Sequence, residues 1–355
     1  MKKILITTGI YPPSIGGPAT YSKLLFDELP KHGFVVSVFS FDEVRKHPKV
    51  IRHTIYLLKL FRKMLSNDVV FAQDTVSVGF PTAVIAKLLR KKFLLRVPGD
   101  YSWEQSVARF NIKENIDDFQ NKRYGNKVEF LRFIQSYVAN SADVVITPSD
   151  YFTNLVKGWV REKSKVITIY NGIRFDPYFS IENQPEENTI FTAGRLVSWK
   201  HFDDLIMYIS KLPGWKLTIV GDGPDKFKLE QLVSEIQLGA RVKLIGKLER
   251  EDLIKEMKKN KIFVLNSSFE SFSFQLVEAM AAGLPIVCRD IGNLKEIVRD
   301  GESALFYDGS FSDFKIKIDT LNTDSLLSKK LTDRAKLDAQ NFSVDKTIAK
   351  LLLYF

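Results

Sequence analysis

Glu270 and Glu278, two carboxylates eight positions apart, lie in IFVLNSSFESFSFQLVEAMAAGLPIVCR, residues 262–289. A carboxylate offers two acceptor oxygens, which suits the diol of a ribose or hexose. Between the two acids Ser273 stands where it can cap a helix, and Phe274, Val277 and Met280 follow at helical spacing. The free N–H groups of a helix start suit a phosphate. Ile262–Leu265 reads as a strand buried on both faces, while Gly283, with Pro285 just beyond, ends the helix. In a parallel α/β sheet ligands bind at the carboxyl ends of strands, where this loop falls. The spacing alone fits equally an ordinary crossover carrying two solvated acids.

Other chemistry-bearing residues fall at similar places. Arg195 and Lys200 belong to GRLVSWKHFDDLI, residues 194–206, after a strand and near a helix that Ser198 could cap. A lysine in a first turn opposes the helix dipole, so it is either simply exposed or faces an anion. Gly221 and Gly223 follow another strand, but Lys226 fills the third position of a dinucleotide fingerprint. Gly16 and Gly17 follow the first strand, and backbone without side chains allows close approach to a phosphate. The loop RVPGDYSWEQ holds Asp100, Trp103 and Glu104. Its acid either orients an acceptor hydroxyl and takes its proton, or anchors an Asp-turn beside a packed tryptophan. No D-x-D pair occurs, so nothing signals a metal chelated beside a diphosphate.

These residues need two domains to position them, and 355 residues suffice for two cores. Strands are expected at 3–8, 34–39, 68–72, 93–97, 143–147 and 166–170, then at 190–193, 216–220, 242–245, 262–265, 286–288 and 304–306. Helices alternate with them, a basic amphipathic one at 49–65 among them. This alternation predicts parallel, doubly wound α/β sheets. Between Pro98 and Lys127 the pattern lapses into a polar stretch dotted with aromatics, read as a long loop. The expected divisions are 1–172, a linker at 173–188 and 189–339, with a final helix at 340–355 packing back on the first domain.

The single cysteine, Cys288, excludes a disulfide framework and fits a reducing compartment. No apolar run approaches the length of a membrane span, and the opening residues do not read as a secretory signal. Residues 1–172 carry 26 Lys and Arg against 15 Asp and Glu, a net +11 of the chain's +10, so the remainder is −1. Such a basic half leaves nucleic acid, an anionic membrane and phosphorylated substrates open.

The acid-bearing string resembles the E-x7-E segment of retaining nucleotide-sugar glycosyltransferases of family four. Glu270, Phe272, Glu278-Ala279-Met280-Ala281 and Gly283-Leu284-Pro285 carry the likeness, with Ser273 standing where the family has glycine. Gly194-Arg195-Leu196 with Lys200, the Gly221-x-Gly223-Pro224 turn and the Gly16-Gly17 loop match further family motifs. The resemblance implies two Rossmann-like domains facing a cleft (the GT-B fold) and transfer of a hexose from a nucleotide diphosphate sugar to an acceptor hydroxyl. It places Glu270 on the donor sugar, Glu278 on the ribose, and Arg195 and Lys200 on the diphosphate. Gly16, Gly17, Gly223, Ser273 and Phe274 complete the implied donor site. Asp100 joins the implied catalytic group, with Trp103 and Glu104 on the acceptor side. Many members place a histidine in that last loop; His32, His47, His53 and His201 all lie elsewhere.

The expected partners are therefore a nucleotide-sugar donor and a glycan or lipid-linked acceptor, with no cofactor or metal. The expected setting is cytoplasmic, with peripheral contact to an anionic membrane through Arg45, Lys46, Lys49, Arg52, Lys59, Arg62 and Lys63, followed by Arg90, Lys91 and Lys92. Two rival readings are a basic nucleic-acid-binding module, which lacks a stacking aromatic motif, and a nicotinamide-dependent sugar oxidoreductase, which lacks the full glycine fingerprint.

Overall fold

The computed structural model describes residues 1–14, 16–110 and 112–355, the side chains of 49 and 50 excepted. Lys49, counted above with the basic face, thus has its side chain outside the described residues. Among the described residues, short runs of Val, Ile, Leu and Phe form twelve strands, because branched and aromatic side chains pack well on a pleat covered from both sides. They are β1 Lys3–Thr8, β2 Val35–Ser40, β3 Val69–Ala72, β4 Lys92–Arg96, β5 Val144–Thr147 and β6 Val166–Thr168. The second set is β7 Thr189–Ala193, β8 Lys216–Val220, β9 Val242–Gly246, β10 Ile262–Leu265, β11 Ile286–Arg289 and β12 Leu305–Tyr307. All twelve expected strands are present, with ends displaced by up to two residues.

The strands form two parallel six-stranded sheets, ordered β2-β1-β3-β4-β5-β6 and β12-β11-β10-β7-β8-β9. The strand order reverses between β1 and β3 in the first and between β7 and β10 in the second. Such a reversal opens a crevice at the carboxyl ends, because the flanking connections leave in opposite directions. One compact unit comprises Met1–Asn171 with Asp345–Phe355, the other Gly172–Val344. In the first unit Phe355 packs on Phe34 and Phe71 at ring distances of 5.6 and 5.8 Å, and Lys2 donates to the Phe355 carbonyl.

The stretch read as a loop between Pro98 and Lys127 instead contains helices Tyr101–Phe110 and Ile116–Asn121. The buried face of the first is Ser102, Trp103 and Ser106, so it has no apolar stripe to read. The segment read as a linker is likewise held down. Lys258, buried, donates to the carbonyls of Phe179 and Ile181 and to Asn183 Oδ1 at 2.9, 2.5 and 3.0 Å.

Candidate active site

Lys200 and Glu270 arise from loops following β7 and β10, the two strands flanking the reversal in the second unit. The β7 loop makes a 3-10 turn over Ser198–Lys200, and the next helix starts only at Phe202, with His201 in the left-handed region at φ 50°. Lys200 therefore precedes the helix rather than lying in its first turn, and Ser198 makes no side-chain cap. The Ser268 amide donates to the Trp199 carbonyl at 2.9 Å, and Asn266 Nδ2 to the His201 carbonyl at 2.8 Å. These bonds clamp the β7 loop to the β10 loop. As a result the Lys200 ammonium meets Glu270 Oε1, which also accepts from the Ser267 hydroxyl at 2.6 Å. Both members of the pair are nearly buried, and Glu270 Oε2 has no partner among the described residues.

Gly221 and Gly223 have a structural task here. A Cβ on Gly221 would stand 1.9 Å from the Gly194 carbonyl oxygen, and one on Gly223 would stand 2.2 Å from that of Leu196. Only glycine lets the loops after β7 and β8 lie this close, joined by Leu196 N–H to the Asp222 carbonyl at 3.0 Å. Arg195 sits between these contacts, exposed and with no side-chain partner among the described residues. The Lys200 ammonium lies 3.6 Å from where a Gly194 Cβ would be, so both cations border the same backbone.

Helix Phe274–Ala282 starts beyond Glu270. Ser273, standing where the resembled family has glycine, turns its hydroxyl to the Leu276 amide at 3.3 Å. Its side chain thus serves the helix, and Phe274 packs edge-on against Phe272 at 5.5 Å. Gly283 ends the helix in the left-handed conformation at φ 74°. Just over one turn in, Glu278 is buried and bonded through Oε1 to Arg250 Nε at 3.0 Å. Burial raises its carboxyl above the ordinary range, and the Arg250 guanidinium pulls partly back. The same guanidinium donates to Asp176 Oδ2 at 3.0 Å and to the Arg174 carbonyl at 2.9 Å. Glu278 Oε2 has no partner among the described residues. Sequence reading missed Arg250 and Asp176. The only signal was a basic residue opening helix Arg250–Lys258, where the dipole favours acids.

In the first unit Gly16 is the residue before helix Gly17–Glu28, at the carboxyl end of β1, and it makes no side-chain cap. Asp100 is fully buried. Its Oδ1 accepts from the Ser102 hydroxyl, the Trp103 amide and Gln135 Nε2 at 2.7, 3.1 and 3.0 Å, and its Oδ2 from Gln120 Nε2 at 2.8 Å. Trp103 is also buried, its indole N–H donating to the Glu114 carbonyl at 3.0 Å. Three donors thus converge on Oδ1 and one on Oδ2, the arrangement of an anchoring turn. Glu104 lies half-buried against Gly99, where a Cβ would meet its Oε1 at 2.5 Å.

Among the described residues His201, Asp203 and Asp204 could offer metal ligands within 4.8 Å of one another. Lys228 and the His201 ring already engage the two acids, at 3.0 and 3.4 Å. No helix among the described residues is long and apolar enough to cross a membrane.

Residues 176–338 match the family model described as glycosyl transferases group 1. An uncharacterized glycosyltransferase of Methanocaldococcus jannaschii is 26% identical, with 98% of this chain and 95% of that protein aligned. Among solved structures, a sucrose-phosphate synthase from Thermosynechococcus elongatus covers 100% of this chain and 98% of its own at TM-score 0.80 and 18% identity. HepE of Anabaena, solved with UDP and glucose, covers both chains in full at TM-score 0.78 and 18% identity. The two parallel sheets are thus those of the GT-B fold, and the protein is an enzyme of the glycosyltransferase class.

Proposed function

We propose that the protein is a retaining, metal-independent hexosyltransferase that takes a hexose from a nucleotide diphosphate sugar and passes it to an acceptor hydroxyl in glycan, polysaccharide or glycolipid synthesis. One observation carries this reading. Two buried carboxylates eight residues apart each spend one oxygen on a cation and keep the other uncommitted. An oxygen held in place but not used is a preorganised acceptor for a sugar hydroxyl. On this reading Glu270 takes hydroxyls of the hexose and Glu278 the ribose diol. Arg195, which has no partner among the described residues to give up, and Lys200 receive the diphosphate together with the first N–H groups of helix Phe274–Ala282. Their positive charge stabilises the nucleoside diphosphate as its bond to the sugar breaks. HepE, crystallised with UDP-glucose as well as with UDP and glucose, supports a donor of this class by analogy.

The test is a thermal-shift screen with UDP-, GDP- and ADP-sugars, followed by assay of nucleoside diphosphate release and of the product's anomeric configuration. Glu278→Ala should weaken nucleotide binding by about 1–3 kcal/mol, the cost of losing an acceptor for a buried diol. Glu270→Ala should lower turnover more than nucleotide affinity. Equal binding of free nucleoside diphosphate by parent and Glu278→Ala would remove the ribose assignment, and an inverted product would remove retention.

A further inference from the structure

An open groove of about 1280 Å³ lies on the first unit at the amino ends of β4 and β5, away from the carboxyl ends where an α/β sheet holds its substrates. Lys87, Arg90, Lys91, Lys92 and Arg161 line it, and none of these side chains has a partner among the described residues. The acid on its rim, Asp143, already accepts from the Phe93 amide at 2.7 Å. Residues 75–99 contain no Asp or Glu at all. Like charges gathered without counter-charge repel one another, so an anion seated among them is strongly favoured.

Apolar side chains share this surface. Helices Gly79–Leu89 and Asn126–Ser141 pack side by side, and they leave Leu88 71%, Phe133 64% and Phe130 61% exposed. Phe133 itself lines the groove. The basic helix Lys49–Leu65 is a weaker candidate, since Lys63 and Arg52 there lie over the rings of Phe39 and Phe41 at 5.3 and 5.6 Å.

We propose that this groove seats the phosphate headgroups of an anionic phospholipid bilayer, with Leu88, Phe130 and Phe133 reaching below the headgroup level. Cations beside exposed large apolar side chains match a membrane interface, where each kind of group finds its own layer. Nucleic acid would use the cations but gains nothing from an exposed leucine. A second copy of the same surface would set five cations against five. The inference goes beyond the proposed transfer reaction and stands on the first unit alone.

Co-sedimentation of the full chain with vesicles decides it. Phosphatidylglycerol-containing vesicles should bind, less so with added salt, and pure phosphatidylcholine vesicles should not. The triple change R90Q/K91Q/K92Q should lower partitioning about 100-fold, at roughly five-fold per cation. The charge-conserving R90K/K91R/K92R should bind as the parent does, which separates loss of charge from loss of fold. L88S/F133S should lower partitioning about ten-fold or more, through lost apolar insertion, while keeping the parent's salt dependence. Nucleoside diphosphate release from a soluble donor should be the same in parent and variants, so failure here is distinct from failure of the transferase reading. Equal binding to neutral and anionic vesicles, no binding to either, full binding by R90Q/K91Q/K92Q, or tighter binding to an RNA oligonucleotide than to anionic vesicles would overturn the proposal.

Discussion

Replacing Arg250 by alanine removes the one cation among the described residues that bonds Glu278, and leaves that carboxylate buried without its ion pair. Breaking a buried ion pair from one side costs about 3–5 kcal/mol. Arg250 is itself 29% exposed, so solvent screens part of the attraction and the lower end applies. Protonation sets a ceiling. From an ordinary value near 4.3 and at 1.36 kcal/mol per pKa unit, an orphaned glutamate sheds its charge at pH 7 for about 3.7 kcal/mol. The two limits meet near a loss of about 3 kcal/mol, or roughly 6–12 °C in the melting of a unit of this size. The pH dependence gives the cause. Burial already raises the Glu278 carboxyl, and without Arg250 it rises further. The folded state then holds a proton that the unfolded chain does not, so stability is gained as pH falls from neutral toward the ordinary glutamate range. Thermal unfolding of parent, Arg250→Ala and Arg250→Ala/Glu278→Gln at neutral and mildly acidic pH reads all of this. The single variant should be weakest at neutral pH, recover as the solution is acidified, and be rescued by the second change. A deficit that neither acid nor Glu278→Gln relieves would refute the reasoning, because the loss would then lie in Arg250's other contacts.

Two further outcomes follow from the same geometry. Arg195→Ala and Lys200→Ala should each lower turnover by about 10²–10³, as removal of one preorganised contact to developing charge does, and steady-state assays should show activity surviving a chelator; strict dependence on an added divalent ion would defeat the metal-independent reading. Asp100→Ala should cost about 3 kcal/mol in thermal unfolding, because the buried Trp103 amide and the amides of Gln120 and Gln135 lose their acceptor; a variant that melts like the parent yet loses turnover would instead mark Asp100 as catalytic.

The strands were legible because a buried parallel strand must be continuously apolar, as in Ile262–Leu265, and is punctuated by Gly, Pro or Asn. Glu270 and Glu278 stood out as a pair through the resemblance of their segment to a family motif, since their spacing alone fits an ordinary crossover equally well. Arg250 was not, since its partners Asp176 and Glu278 lie 74 and 28 positions away on other segments. Helix Tyr101–Phe110 escaped notice because serines face its interior side. The Gly221-x-Gly223 turn looked like a ligand loop, yet its missing side chains first of all make room for the Gly194–Leu196 backbone.

The first unit draws on both Met1–Asn171 and Asp345–Phe355, with all of Gly172–Val344 between them in sequence. During synthesis its sheet is therefore made early but is not closed over until residues 345–355 emerge. Until then Phe34 and Phe71 lack the Phe355 ring that packs on both, and Thr347 has not yet donated to the Tyr170 carbonyl. The second unit, contiguous in the chain, has no such wait. A frameshift or stop codon within residues 345–355 would thus fall on the unit whose sheet precedes residue 172, leaving Gly172–Val344 with its sequence whole.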